Sequence, residues 1–120
     1  MEYDEEAELD RYVIKNYPDL MTTLEAEVRV AAIAQQKAEH ASPRMGEIIK
    51  ARYGRCDDPE VVAALSDGVD VFRRRVRQRI LREHPEKVFI NRCPKCNRVV
   101  RTPKAKLCLW CGHSWHKQGG

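Results

Sequence analysis

No apolar run in these 120 residues approaches the roughly 20 that a membrane-crossing helix needs, so no membrane span is expected. A secretory leader is not expected either. The chain opens Met1-Glu2-Tyr3-Asp4-Glu5-Glu6, acidic where a leader is basic, and a cytoplasmic protein is the reading that follows. There is no glycine-rich phosphate loop, no paired carboxylates set for acid–base work and no nucleophile–base set. That argues against an enzyme and against a small-molecule substrate. From Arg92 to Lys117 there is no acidic residue at all, so this stretch cannot neutralise its own bases.

What is present is cysteine in an ordered pattern. Four of the five cysteines form Cys93-Pro94-Lys95-Cys96 and Cys108-Leu109-Trp110-Cys111, with eleven residues between the pairs. Two residues between cysteines let a turn point both sulfurs the same way, and four thiolates complete a tetrahedron around one zinc ion. Such usage fits reduced thiolates on metal better than disulfides. Four thiolates leave no open position for water and no carboxylate lies nearby, so the metal reads as structural rather than catalytic. Iron suits the same four-sulfur set. His113 and His116 follow closely, and sites of three cysteines and one histidine exist, but four well-spaced cysteines make them surplus. A redox dithiol at Cys93 and Cys96 would open a helix. Here Arg98 and the β-branched Val99-Val100 follow, and the second pair makes metal the simpler account. Between the pairs, Val99-Val100, a tip at Thr102-Pro103 and Lys106-Leu107 suit a short hairpin.

These residues resemble a zinc ribbon, two metal knuckles joined by a β-hairpin, over about residues 90–116. The second knuckle carries the glycine common after such pairs, Gly112. The first has Asn97 there, and asparagine also accepts a left-handed backbone. The resemblance implies one structural zinc. It also implies a role of the kinds ribbons have in transcription and translation proteins, or as rigid knobs for other proteins.

The rest of the chain is helical in pattern, and a mainly α fold of three to four helices followed by the small ribbon is expected. Residues 1–84 form the helical domain, 85–89 a linker or entry strand, and 90–120 the ribbon with a flexible tail. The first helix runs from the acidic start to Tyr17 and stops at Pro18, with Leu9, Tyr12 and Val13 as its apolar stripe. A second helix, capped by Asp19, runs from Leu20 to about His40. Its Ala31-Ala32-Ile33-Ala34 lets another helix come close. Ser42-Pro43 starts a third, ended by Gly54. Asp58-Pro59-Glu60 starts a fourth, in which Leu65, Val69, Phe72, Val76 and Ile80 share one face. It reads as one helix or two nearly collinear pieces, the second capped by Asp67. Helix, turn and basic helix around residues 54–59 suggests a helix-turn-helix, but that turn is long for the motif. Cys56 reads as a spare thiol.

Charge is split along the chain. Residues 1–60 hold eight bases and fourteen acids, and residues 61–120 hold fourteen bases and four acids. Arg73, Arg74, Arg75, Arg77, Arg79 and Arg82 crowd ten residues of the last helix, so something must answer them. Phosphate is one possibility, because guanidinium binds it in a bidentate way. The acidic first helix is the other. Two classes of function stay open. One is nucleic-acid binding or a transcription-related accessory role through Arg73, Arg74, Arg77, Arg79 and Arg82 with Arg98, Arg101, Lys104 and Lys106, and Trp110 stacking. The other is a protein–protein adaptor whose helices pair with a second copy or another protein.

Overall fold

A computed structural model describes residues 2–53 and 57–116 of the chain. Five helices carry it: α1 (Glu5–Asn16), α2 (Thr23–Glu39), α3 (Pro43–Tyr53), α4 (Pro59–Ala64) and α5 (Val69–Glu83). Short 3₁₀ turns at Pro18–Leu20 and Pro85–Lys87 follow α1 and α5. Strand is nearly absent among the described residues and reduces to two isolated antiparallel bridges near the C-terminus.

Local signals set most of the helix starts. Asp4 caps α1, accepting from the Ala7 N–H at 3.2 Å, and three glutamates in the first turn complement the helix dipole. Ser42 accepts from Met45 N–H at the start of α3, and Asp58 accepts from Glu60 N–H ahead of Pro59 in α4. Two starts differ from the sequence reading. α2 is capped by Thr22 rather than Asp19. Thr22 Oγ1 accepts from Glu25 N–H, and the Glu25 carboxylate accepts from Thr22 N–H, a reciprocal capping box. Pro18 instead opens the 3₁₀ turn that takes up Asp19. The run from Pro59 to Glu83 takes the second of its two expected forms, two helices, but without the expected cap. Gly68 breaks it at φ 98°, a conformation glycine adopts at little cost, and heads α5 without a side-chain cap. Asp67, expected as the cap, instead holds Arg75 at 2.8 Å. The helix after α3 carries no base, which removes the basic recognition helix that a helix-turn-helix needs. Gly54 and Cys56 lie outside the described residues.

The core joins Leu9, Tyr12 and Val13 of α1 to Val28 and Ala31 of α2, Val61 of α4 and Phe72, Val76 and Ile80 of α5. Val99, from the cysteine-bearing segment, belongs to the same cluster. α2 and α3 close on small residues. A Cβ at Gly46 would sit 3.1 Å from the Ala38 carbonyl oxygen, tighter than an ordinary contact, so glycine eases the approach. α3 leaves Met45 and Ile48 exposed. The molecule is elongated, 54 × 34 × 26 Å, and its 17.1 Å radius of gyration exceeds the roughly 14 Å of a compact chain this long.

The α1 acids meet the α5 arginines. Arg77 is 8 % exposed and Asp10 5 %, and Arg77 Nε donates to Asp10 Oδ1 at 2.8 Å. Arg77 Nη2 donates to Glu6, and Arg74 Nε to Asp10 Oδ2 at 3.2 Å. Arg79 donates to both oxygens of Glu25, to Glu83 and to the Leu20 carbonyl. Glu25 therefore both caps α2 and ties it to α5. Removing one partner of a buried pair strands the other charge. Asp10→Ala is expected to lower unfolding free energy by about 3–5 kcal/mol. Asp70→Ala, on an exposed carboxylate 3.7 Å from Arg73, should stay within about 0.5 kcal/mol. Urea unfolding of the two variants checks the contrast.

Candidate metal centre

Each cysteine pair sits on its own turn. In the first, Cys93 N–H donates to the Arg98 carbonyl and Asn97 N–H to the Cys93 carbonyl, and an Arg92–Val99 bridge closes the loop. In the second, Cys108 N–H donates to the His113 carbonyl and Gly112 N–H to the Cys108 carbonyl, closed by a Leu107–Ser114 bridge. The two turns match residue for residue. Asn97 and Gly112, each one past its second cysteine, both have positive φ, 64° and 80°. Asparagine thus takes the left-handed position that the sequence reading gave it.

The four sulfurs lie within 4.8 Å of one another. The edges between turns are 3.6 Å for Cys93–Cys111 and 3.6 Å for Cys96–Cys108. A disulfide needs about 2.05 Å, so these are not bonded pairs. A tetrahedron with metal–sulfur distances of about 2.3 Å has sulfur–sulfur edges of about 3.8 Å. The residues therefore fit one four-coordinate metal ion. Cys93 and Cys108 are buried and Cys111 is exposed. The N–H groups of Lys95 and Cys96 point at Cys93 Sγ, at 3.3 and 3.4 Å. Burial pushes the Cys93 thiol up, but these N–H groups and the neighbouring thiols outweigh it and bring it down to about 7. At Cys96 the Arg98 N–H pulls down, while burial and the other thiols, Cys108 first, push up to about 11. Crowded thiols resist losing all their protons together, and a bound cation removes that resistance. Neither histidine joins the cluster. The His113 ring stacks on Trp115 at 5.8 Å, and His116 Nδ1 meets Ser114 Oγ. Trp115 and Trp110 pack against the cysteine cluster.

The hairpin expected between the pairs is not formed as a strand ladder among the described residues. Asn91 does the holding instead. Its Nδ2 donates to the Thr102 and Ala105 carbonyls, both at 2.9 Å, and Val100 N–H returns to the Asn91 carbonyl.

The module is seated on α1 and its flanks by tyrosine hydroxyls, a role that the sequence reading gave to none of them. Tyr12 donates to the Phe89 carbonyl at 2.5 Å and accepts from Asn91 N–H at 3.2 Å. Tyr3 donates to Glu5 and accepts from Val99 N–H, and its ring meets Trp110 edge-on at 5.0 Å. Arg92 grips both oxygens of Glu5 and holds that carboxyl below its usual range. Phe89 is exposed. The periodicity marks Tyr12 only as a core residue; nothing local signals these hydroxyl roles, whose backbone partners at residues 89, 91 and 99 lie more than seventy residues away.

The expected nucleic-acid contacts are scattered. Arg77 and Arg79 are enclosed by carboxylates, and Arg74 leans on Asp10. Arg73 and Arg82 are exposed, with acidic neighbours no nearer than 3.7 and 3.8 Å. Arg98 lies over the Tyr3 ring and Trp110 is half-buried. Arg101, Lys104 and Lys106 are exposed. In comparisons with family models, curated proteins and solved structures, nothing matches this chain.

Cys93→Ser and Cys108→Ser are each expected to release the metal, measured as metal content per chain; undiminished content in either variant would contradict the four-sulfur set. Tyr12→Phe leaves Asn91 N–H without its acceptor. It should destabilise the metal-loaded protein by about 1–3 kcal/mol in urea unfolding while metal content is kept.

Proposed function

We propose that this chain is a non-enzymatic zinc protein in which the metal is structural, and that it acts as a nucleic-acid-binding or transcription-related accessory factor. Zinc suits four thiolates at tetrahedral spacing, and bound there it cross-links the two turns. A closed four-sulfur shell leaves no position for substrate, which supports a non-catalytic role. A cytoplasmic setting keeps such thiolates reduced.

One observation carries the nucleic-acid reading. Lys95, Arg101, Lys104 and Lys106 are exposed and have no acidic partner among the described residues, whereas the acids of α1 are turned onto α5 and Arg92. The fold answers its inner cations and leaves these outward ones to solvent, which favours a polyanionic partner. The second reading, an adaptor that pairs with itself or another protein, draws support from the exposed Val30, Met45, Ile48 and Val62.

Binding of the metal-loaded protein to mixed DNA and RNA fragments tests the choice. Four phosphate contacts should weaken binding about 50- to 150-fold as salt rises from about 50 to about 200 mM. Absence of binding at the lower salt would sink the nucleic-acid reading and leave the adaptor.

A further inference from the structure

We infer that a single nucleic-acid strand lies along the C-terminal half of α1, with the exposed ring of Phe89 as the platform on which one base stacks. The inference rests on the nucleic-acid reading above and gives it a place.

Phe89 is 59 % exposed although its neighbours Val88 and Ile90 pack on the core. Its backbone is pinned on both sides. The carbonyl accepts from Tyr12 at 2.5 Å and from Tyr17 at 3.4 Å, and the N–H donates to Tyr17 Oη at 3.1 Å. A ring carried on so fixed a backbone loses little further freedom when a base settles on it, and stacking accepts any base because each has a π-face.

The same end of α1 gathers cations. Asn16, one residue before Tyr17, donates its Nδ2 to the Arg101 carbonyl at 2.9 Å, so Arg101 and Phe89 are fixed to adjacent positions of one helix end. Arg101 lines a cavity of about 230 Å³ with Arg11 and Lys15. Arg11 and Lys15 also line a second cavity, of about 460 Å³, with Arg29 and Arg73 above the apolar Ile14 and Phe72. The two α1 cations therefore form a ridge with a cavity on either side. Among the described residues, Lys15, Arg29 and Arg101 have no ion pair, and Arg11 has only Glu8 on its own helix. Carboxylates also face this track. Asp10 is held by Arg77 and Arg74, Asp4 caps α1, and Asp70 is exposed near Arg73. Cations and an exposed aromatic held at one helix end are the pairing that single strands use. A duplex keeps its bases stacked on one another, where a surface ring cannot reach them. The tyrosine clamp fixes the Phe89 backbone to the end of α1 that also holds the Arg101 backbone.

The test uses the full metal-loaded chain and a labelled mixed-sequence DNA twelve-mer, single-stranded and as a duplex. Phe89→Ala should weaken single-strand binding about 5- to 100-fold with an unchanged salt slope, since stacking releases no counterions. Phe89→Leu should weaken it similarly and Phe89→Tyr should restore it, which separates stacking from mere apolar contact. The triple variant Lys15→Gln, Arg29→Gln, Arg101→Gln should lower the slope of log K against log salt by about 2. Arg75→Gln with Lys50→Gln, off this track, should leave binding near wild type. Metal content and unfolding midpoint of each variant confirm its fold. If wild-type protein binds and the Phe89 and triple variants bind equally well, the strand lies elsewhere while the nucleic-acid reading stands. Duplex binding tighter than single-strand binding overturns the inference, as does Phe89→Leu that binds like wild type. No binding of any strand overturns both.

Discussion

Residues 90–116 cannot hold themselves together by burial, and four sulfurs at tetrahedral spacing are the constraint from which the rest follows. Their cluster of buried residues is Cys93, Val100 and Cys108, with two tryptophans laid against it. So little apolar surface cannot offset the entropy of ordering nearly thirty residues. A metal bound by all four sulfurs supplies that free energy directly, because no such site exists in the unfolded chain. The matched turns, with Asn97 and Gly112 both at positive φ, are the backbone form of the same requirement: two loops, each aiming two sulfurs at one point.

The helices then provide a seat for this module. α1 and the residues flanking it do so with hydroxyls, offering Tyr3, Tyr12 and Tyr17 to the backbone groups of residues 89, 91 and 99. α1 also settles the charge of the helical body. Glu6 and Asp10 turn to α5, and Glu5 turns to Arg92. One short helix thus carries core side chains, buried carboxylates and the module's docking groups at once. Lys15 on its own surface and the exposed bases of the module, Lys95, Arg101, Lys104 and Lys106, are left outward.

Much of this was legible where the signal was local. Ser42-Pro43 and Asp58-Pro59 mark helix starts because a cap and its N–H partner lie within three residues. The cysteines declare their cluster because two residues of spacing fix how a turn aims its sulfurs. Asn97 was legible for the same reason. Long-range choices were not. The sequence shows six arginines in need of partners, and both phosphate and the acids of α1 would satisfy them; Arg77 finds Glu6 across 71 residues. The sequence left one helix or two pieces open at Asp67-Gly68, since the apolar spacing from Leu65 to Ile80 runs through it unbroken; the positive φ of Gly68 decides for two. The hairpin between the cysteine pairs was read from β-branched residues, but Val99 packs into the helical core and Asn91 ties down the segment that a ladder would have organised. Tertiary contacts overrode local propensity there.

The most direct measurement is X-ray absorption at the metal edge on the purified full chain. The expected result is one zinc per chain with a shell of four sulfurs at about 2.3 Å. A shell with nitrogen or oxygen ligands, fewer than four sulfurs, or a chain that folds with no metal would contradict the account that this module is closed by four thiolates on one ion.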